Sequence, residues 1–233
     1  MLVLLLAPAH AFETLHNSGG SPLTWTEMPV RFDINPRNAQ GLDEDLVWTN
    51  TYRAADVWAQ VEGTDIAWDV GEGEVAETAH DGQAAVYFSD DWQGDESLLA
   101  LTSTWSTGEG AIVSFDIAIN STHHTWAMDG GEGAIDLQNT LAHEFGHVLG
   151  FGHEPDNTEA TMWPSSGLGE TDKRDLHATD IEGAQAQYPE SEAVEGGELR
   201  LPLGCSGVGG AAGLLPALLG LIALRRRQPR TTS

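Results

Sequence analysis

The feature that most constrains this 233-residue chain is the run LAHEFGHVLGFGH at positions 141–153. His143 and His147 are four residues apart on an amphipathic pattern, so on a helix both imidazoles leave the same face and can bind one metal ion. Gly150 permits the left-handed backbone that ends a helix, which lets the chain turn and bring His153 to the same ion. Three histidine ligands leave a fourth position open on zinc, as in catalytic sites. The run therefore predicts a zinc site held by these three histidines.

Glu144 directly follows the first predicted ligand. From there its carboxylate can take a proton from a zinc-bound water without occupying a coordination position, and can pass that proton to a leaving amine. A structural zinc site has no use for such a carboxylate. We therefore predict a zinc metalloendopeptidase that acts on proteins or peptides. Two alternatives stay open: a non-catalytic surface adhesion domain that keeps zinc for its structure, and a metal-dependent amidase that acts on non-peptide amides.

Hydrophobic periodicity elsewhere predicts an α+β fold. Strands are predicted at 30–34, 64–70, 84–88, 98–105 and 111–120, and helices at 43–61, 135–149 and 178–188. Asp43 is the expected N-cap of the first helix, and Gly63 its expected end. The order implies a twisted, mixed five-stranded sheet packed against two long helices, with a third helix at the C-terminal end of the domain. We expect 98–105 to be an exposed edge strand, along which an extended peptide would bind by strand addition.

Two further segments complete a family pattern. The histidine run followed by TMWP at 161–164 resembles the metzincin metallopeptidases. The longer segment 136–153, together with DIEGAQ at 180–185 and Tyr188, resembles the catalytic domain of the matrixins, the matrix-metalloproteinase-like group. The resemblance covers about residues 28–189 and implies a metzincin-like fold.

The resemblance also implies structural roles around the metal. Met162 would form a thioether floor beneath the zinc without binding it, and Asp180 would support the backbone of that turn. Gly150 and Pro164 would be structural residues of the same site. The chain departs from the matrixin pattern at Ser166, where a tyrosine is usual, and this leaves the depth of the S1′ pocket open. Glu154 resembles the astacins instead, although the cysteines of that group are missing.

Other metal sites are less strongly indicated. His123 and His124 are adjacent, so their side chains point in different directions, and we interpret them as solvent-exposed rather than as a second metal pair. His80 and His177 receive no role. The acidic turns at 89–96 and 129–132 offer the oxygen ligands that calcium prefers, and the matrixin resemblance implies structural calcium.

The charge of the chain narrows the classes of partner. It has 36 acidic and 10 basic side chains, and every acidic residue lies between Glu13 and Glu198. So negative a domain should repel nucleic acid and anionic membrane surfaces. We expect a monomer whose partners are protein or peptide substrates. Cys205 is the single cysteine, so no disulfide can form within the chain.

Both ends of the chain resemble targeting signals. Residues 1–11 end in Ala-His-Ala and read as a signal peptide, although they are short and lack the usual basic start, so we expect the true start codon to lie upstream. Residues 12–189 form the predicted metallopeptidase domain and 190–204 an acidic linker. Residues 205–233 resemble the cysteine, transmembrane and arginine sorting tails of myxobacterial surface proteins, with the apolar span at 207–224. We therefore expect export to the medium or cell surface of a bacterium, with membrane contact only through this tail. Whether the span is removed or retained stays open.

Overall fold

The computed structural model describes residues 12–191. The elements are β1 (Val30–Ile34), α1 (Glu44–Ala59), β2 (Trp68–Glu72), β3 (Ala85–Ser89), β4 (Ala100–Ser106), β5 (Ile112–Asn120), β6 (Trp126–Ala127), β7 (Ile135–Asp136), α2 (Leu137–Val148), a short 3-10 helix (Asp172–Arg174) and α3 (Ala178–Gln187). The predicted α+β class, the five-stranded mixed sheet and the three helices are confirmed. The predictions for 1–11, for the sorting tail at 205–233 and for nearly all of the linker lie outside the described residues.

The main sheet has the strand order β2-β1-β3-β5-β4. Strand β1 pairs in parallel with β2 and β3, and β3 pairs in parallel with β5. Strand β4 is the exception, since it runs antiparallel to β5 and has no partner on its other side within residues 12–191. The segment predicted as an edge strand is therefore at the edge of the sheet, and its backbone groups are free to pair with an added strand.

Helix α1 begins as predicted but ends earlier. The Asp43 side chain accepts the Leu46 N–H at 3.0 Å and caps the helix. The helix ends at Ala59, so the prediction that Gly63 ends it was wrong. Gln60 is the C-cap, and the next N–H, that of Val61, bonds to the Trp58 carbonyl three residues back, so the α-helical hydrogen-bond pattern stops there. Gly63 instead adopts a φ of 79° in the turn that follows.

Two other predicted element boundaries were wrong, because the strands that pair with these segments and set their ends are distant in sequence. The strand predicted at 64–70 is displaced to Trp68–Glu72, where it pairs in register with Val30–Ile34. The helix predicted from residue 135 begins at Leu137, because Ile135 and Asp136 pair with Trp126–Ala127 in a two-stranded sheet. The Asp136 side chain then accepts the Asn139 N–H at 2.9 Å and caps α2.

Aromatic side chains join the sheet to the helices in the core. Phe32 of β1 and Phe115 of β5 contact Phe145 of α2, with ring centroids 5.2 and 6.4 Å apart respectively. Trp58 of α1 stacks on Phe151 at 5.3 Å and donates its indole N–H to the Ala142 carbonyl at 2.9 Å. Each such burial contributes about 1.5–3 kcal/mol. The helix that carries the histidine pair is therefore fixed from both sides.

The first described residues cross the turn that follows α2. The Leu15 N–H donates to the Gly150 carbonyl at 2.8 Å, and the Gly152 N–H donates to the Glu13 carbonyl at 2.7 Å. Thr14 and Phe151 form an antiparallel bridge between these two bonds. None of the helices within residues 12–191 is long and apolar enough to cross a membrane.

Candidate metal centre and active-site cleft

The three predicted histidines meet at one point. His143 and His147 project from α2, and His153 follows the turn at Gly150, whose φ is 89°. The candidate ligand atoms of the three side chains all lie within 4.8 Å of one another. A Cβ at Gly150 would lie 2.2 Å from the Leu23 carbonyl oxygen, so both the backbone angle and the space require glycine. The turn can therefore bring His153 beside the helix only with glycine at this position.

Backbone carbonyls orient two of the imidazoles. His143 Nδ1 lies 2.7 Å from the Thr161 carbonyl oxygen, and His147 Nδ1 lies 2.8 Å from that of Phe151. A carbonyl can only accept, so each Nδ1 carries a proton, which leaves Nε2 as the nitrogen available to a metal. Burial, reinforced by His147 and Lys173, holds the pKa of His143 well below its ordinary value. His143 is therefore neutral near pH 7, which is the form that binds metals.

The cluster fits a zinc ion. His147 Nε2 and His153 Nε2 are 3.2 Å apart. Two nitrogen ligands about 2.0–2.1 Å from a tetrahedral zinc would be separated by about 3.3 Å. The three-histidine donor set, the neutral His143 imidazole and this spacing suggest zinc binding, as predicted from the motif.

Glu144 lies in the same cleft. The Thr102 hydroxyl on β4 donates to Glu144 Oε2 at 2.6 Å, which links the edge strand directly to α2. Glu144, the three histidines and β4 line a pocket of about 400 Å³. Glu144 as a residue is only 6% exposed, and its carboxylate lies at this pocket rather than in bulk solvent.

The turn at 161–164 lies beneath the histidines. Asp180 accepts the Thr161 N–H at 2.8 Å and the Met162 N–H at 3.2 Å. Met162 is 1% exposed, and a Cβ at Gly146 would lie only 2.2 Å from its sulfur. Asp180 thus holds the residue whose carbonyl orients His143. Pro164, the remaining residue predicted for this turn, lines the pocket.

Three functional side chains were missed by the sequence reasoning. Thr102 had no signal, because its partner Glu144 is distant in sequence. His177 caps α3, accepting the Thr179 N–H at 3.2 Å, while its own N–H donates to Asp180 at 3.0 Å. Lys173 lines the pocket although it is 4% exposed. It is the single lysine of the chain, and that rarity was the available signal.

The other candidate metal residues do not gather in the described part of the chain. Within residues 12–191, the three-histidine cluster is the group of three or more such side chains that is placed to share an ion. His124 Nε2 instead lies 3.1 Å from the Leu98 carbonyl oxygen. In the acidic turn at 89–96, Asp95 accepts the N–H and hydroxyl of Ser97. Structural calcium therefore stays a prediction.

A three-histidine cluster with an adjacent carboxylate, beside a free edge strand, defines the class of metal-dependent peptidases. Residues 24–189 match the family model of the matrixins, peptidase family M10, and the chain belongs to this family. The resemblance inferred from the motifs is thereby confirmed. Membership supports a zinc metalloendopeptidase function at the level of the family.

Two relatives match parts of the chain. Human matrilysin is 33% identical over 97 residues, which are 42% of this chain and 34% of that protein. The metalloendoproteinase 4-MMP of Arabidopsis thaliana is 38% identical over 68 residues, which are 28% of this chain and 19% of that protein. The matches thus span about a third and a fifth of these relatives.

Proposed function

We propose that this chain is an exported zinc-dependent endopeptidase that hydrolyses peptide bonds of proteins, with Glu144 as the general base. The observation that carries the proposal is the position of the Glu144 carboxylate. It lies in the same pocket as three convergent histidines, and Thr102 of the edge strand holds one of its oxygens.

His143, His147 and His153 are the proposed zinc ligands. Imidazole nitrogens suit this ion, and three protein ligands leave a position for water or substrate. When bound, zinc supplies Lewis acidity, which polarises a substrate carbonyl and makes a water molecule acidic near neutral pH. The carbonyls of Thr161 and Phe151 keep two of the rings oriented for this role.

The two oxygens of Glu144 have different environments. Oε2 accepts the Thr102 hydroxyl, whereas no residue among 12–191 donates to Oε1. Oε1 is therefore free to take a proton from the attacking water and to deliver it to the leaving amine. Thr102 fixes the carboxylate while this happens, because its single hydroxyl hydrogen is donated to Oε2 at 2.6 Å, a much shorter contact than the 3.3 Å to the Glu144 backbone oxygen.

The edge strand favours polypeptide substrates over small amides. Within residues 12–191 no strand pairs with the outer side of β4, and the pocket is lined by the segment 97–102, which leads into this strand, and by Thr104. An extended peptide can add there as a further strand through backbone hydrogen bonds. A cleft that follows a strand accepts the middle of a chain, which supports endopeptidase activity.

Digestion of casein or gelatin by zinc-loaded protein, with and without a chelator, tests the proposal. The Glu144→Gln variant should keep its zinc and fold but lose about 10²–10⁴-fold in activity, because that is the usual contribution of a general base. Metal analysis and circular dichroism provide the controls. Undiminished digestion by this variant would assign the base elsewhere. A zinc-loaded wild type that cuts no protein would favour the adhesion-domain alternative.

Export is a separate part of the proposal. The supporting observations are the Ala9-His10-Ala11 pattern and the neutral span at 207–224 closed by Arg225–Arg227. Mass spectrometry of culture fluid and membrane fractions should find a mature chain that begins at Phe12. A chain that starts at Met1 in the cytosolic fraction would contradict export.

A further inference from the structure

Lys173 closes one end of the active-site pocket. Its Nζ donates to the carbonyls of Trp163 and Ser165, both at 2.7 Å, and to the Ser166 hydroxyl oxygen at 3.0 Å. Three acceptors match the three protons of an ammonium group, so the bonding pattern is that of the charged form. The side chain is nonetheless buried, and it lines the same pocket as Glu144.

This cation has no paired anion within the described part of the chain. The four ion pairs found among residues 12–191 involve Arg31, Arg37 and Arg174, and none includes Lys173. Burial lowers the pKa of Lys173, which the more distant Glu170 and Glu144 only partly oppose. A buried charge without a counter-ion is unfavourable, and proteins seldom keep one without a partner.

Ser166 extends this charge into the pocket. Its oxygen accepts from Lys173 Nζ and from Asn139 Nδ2 at 3.2 Å, which uses both lone pairs. Asn139 is held in this orientation because its Oδ1 accepts the Lys173 backbone N–H at 2.8 Å. The hydroxyl hydrogen of Ser166 is then left over, and no residue among 12–191 accepts it. The pocket therefore ends in an unused donor backed by an unpaired cation.

We propose that this end of the pocket selects a substrate side chain that carries a carboxylate. The proposal rests on the peptidase function proposed above and names its specificity. A glutamate side chain accepts the free hydroxyl hydrogen of Ser166 and supplies the counter-ion that Lys173 lacks. A leucine leaves both unsatisfied, and a lysine is repelled. The matrixin resemblance assigns Ser166 to the S1′ pocket, so the selected residue is the one directly after the scissile bond.

Cleavage of matched peptides that differ only at this residue tests the proposal. With zinc-loaded wild type, kcat/KM should be about tenfold or more higher for Glu than for its uncharged isostere Gln, which is the ratio expected for hydrogen bonding to a charged group. The Leu and Lys peptides should be cut more slowly than the Glu peptide. Equal rates for Glu and Gln, or a preference for Leu, would overturn the proposal.

Variants locate the preference in the pocket. Lys173→Gln should abolish the Glu-to-Gln ratio, and Ser166→Ala should reduce it about threefold or more. Arg53→Gln is the matched control, because it removes one positive charge from an exposed position on α1 and should leave the ratio unchanged. Lys173 supports two backbone carbonyls, so Ser166→Ala provides the test if Lys173→Gln does not fold. A ratio that persists in Ser166→Ala contradicts the assignment.

Binding separates this proposal from the peptidase function itself. The Glu144→Gln variant should bind the fluorescent Glu peptide about tenfold or more tightly than the Gln peptide, measured by anisotropy. If wild type cuts no peptide but this preference is found, the peptidase proposal fails and the pocket proposal stands. If peptides are cut and bound without regard to this residue, the pocket proposal alone fails.

Discussion

Replacement of Gly146 by alanine should destabilise the domain, although alanine is the better helix former. In an exposed helix this change would stabilise the protein by about 0.8–1.0 kcal/mol. Here the new Cβ would lie 2.2 Å from the Met162 sulfur and 3.0 Å from Trp58 Cζ2. Atoms of this size prefer about 3.5–4.0 Å, so the approach to the sulfur is about 1.5 Å too short.

The clash with the sulfur can be relieved only by moving Met162, which is 1% exposed and belongs to the hydrophobic core. Overpacking of this kind costs about 1–3 kcal/mol. After subtraction of the helix-propensity gain of about 1 kcal/mol, we expect urea unfolding of Gly146→Ala, at fixed free zinc, to show a net loss of up to about 2 kcal/mol. For a domain of this size that corresponds to a melting temperature lower by about 2–4 °C for each kcal/mol.

A double-mutant cycle identifies the cause. In a Met162→Ala background the sulfur is gone, so Gly146→Ala should cost much less, with a coupling energy of about 1–2 kcal/mol. The remaining contact with Trp58 keeps the change from becoming fully favourable. An equal loss of stability in both backgrounds, or a stabilised Gly146→Ala protein, would refute the steric explanation.

Two other predictions concern the hydrogen-bonded carboxylates. Thr102→Val should keep zinc but lower kcat/KM about tenfold, because a hydrogen bond to the charged Glu144 is lost. Thr102→Ser keeps the hydroxyl and should restore the rate. A loss of zinc from the valine variant would contradict a positioning role for Thr102. Asp116 accepts the N–H groups of Ala79 and Ala85, and burial raises its pKa to about 6, so the folded protein holds a proton that the unfolded chain releases. As the pH rises from about 4 to about 6, the free energy of unfolding of wild type should fall by up to about 1.4 kcal/mol per pH unit relative to that of Asp116→Asn. Above about pH 6 the difference between the two proteins should stay constant. The raised pKa would be contradicted if the unfolding free energies of the two proteins, measured with urea, changed equally with pH across this range.

The sequence allowed prediction of the elements whose signals are local. The 3.6-residue period of α2 and the capping aspartate before α1 depend on neighbours within a few residues, and both are present in the structure. Family membership followed from a motif in which spacing alone specifies the geometry. The approach of His153 to the two histidines of α2 could likewise be predicted, because a single glycine turn connects the helix to His153.

The rest depends on contacts between distant segments. Strand β2 is displaced because its ladder is set by β1, which lies more than thirty residues earlier. The hydrogen bond between Thr102 and Glu144 joins residues 42 positions apart, and no pattern in either segment reveals it. Lys173 lies in a 3-10 helix of three residues, a length at which periodicity gives no information. Its burial follows from the carbonyls of 163–165, whose position the sequence does not specify.

The strand-like contact of residues 13–15 with the histidine-bearing turn determines how far a recombinant fragment of this domain can be shortened at its N-terminus. The family match begins at residue 24, which would be the natural place to start a recombinant fragment. Such a fragment would leave the Gly150 carbonyl and the Gly152 N–H without their partners, on either side of the Phe151 carbonyl that orients His147. The domain boundary defined by hydrogen bonding is thus earlier than the one defined by sequence similarity. In this protein the histidine-bearing turn is completed by residues that precede the recognisable family domain.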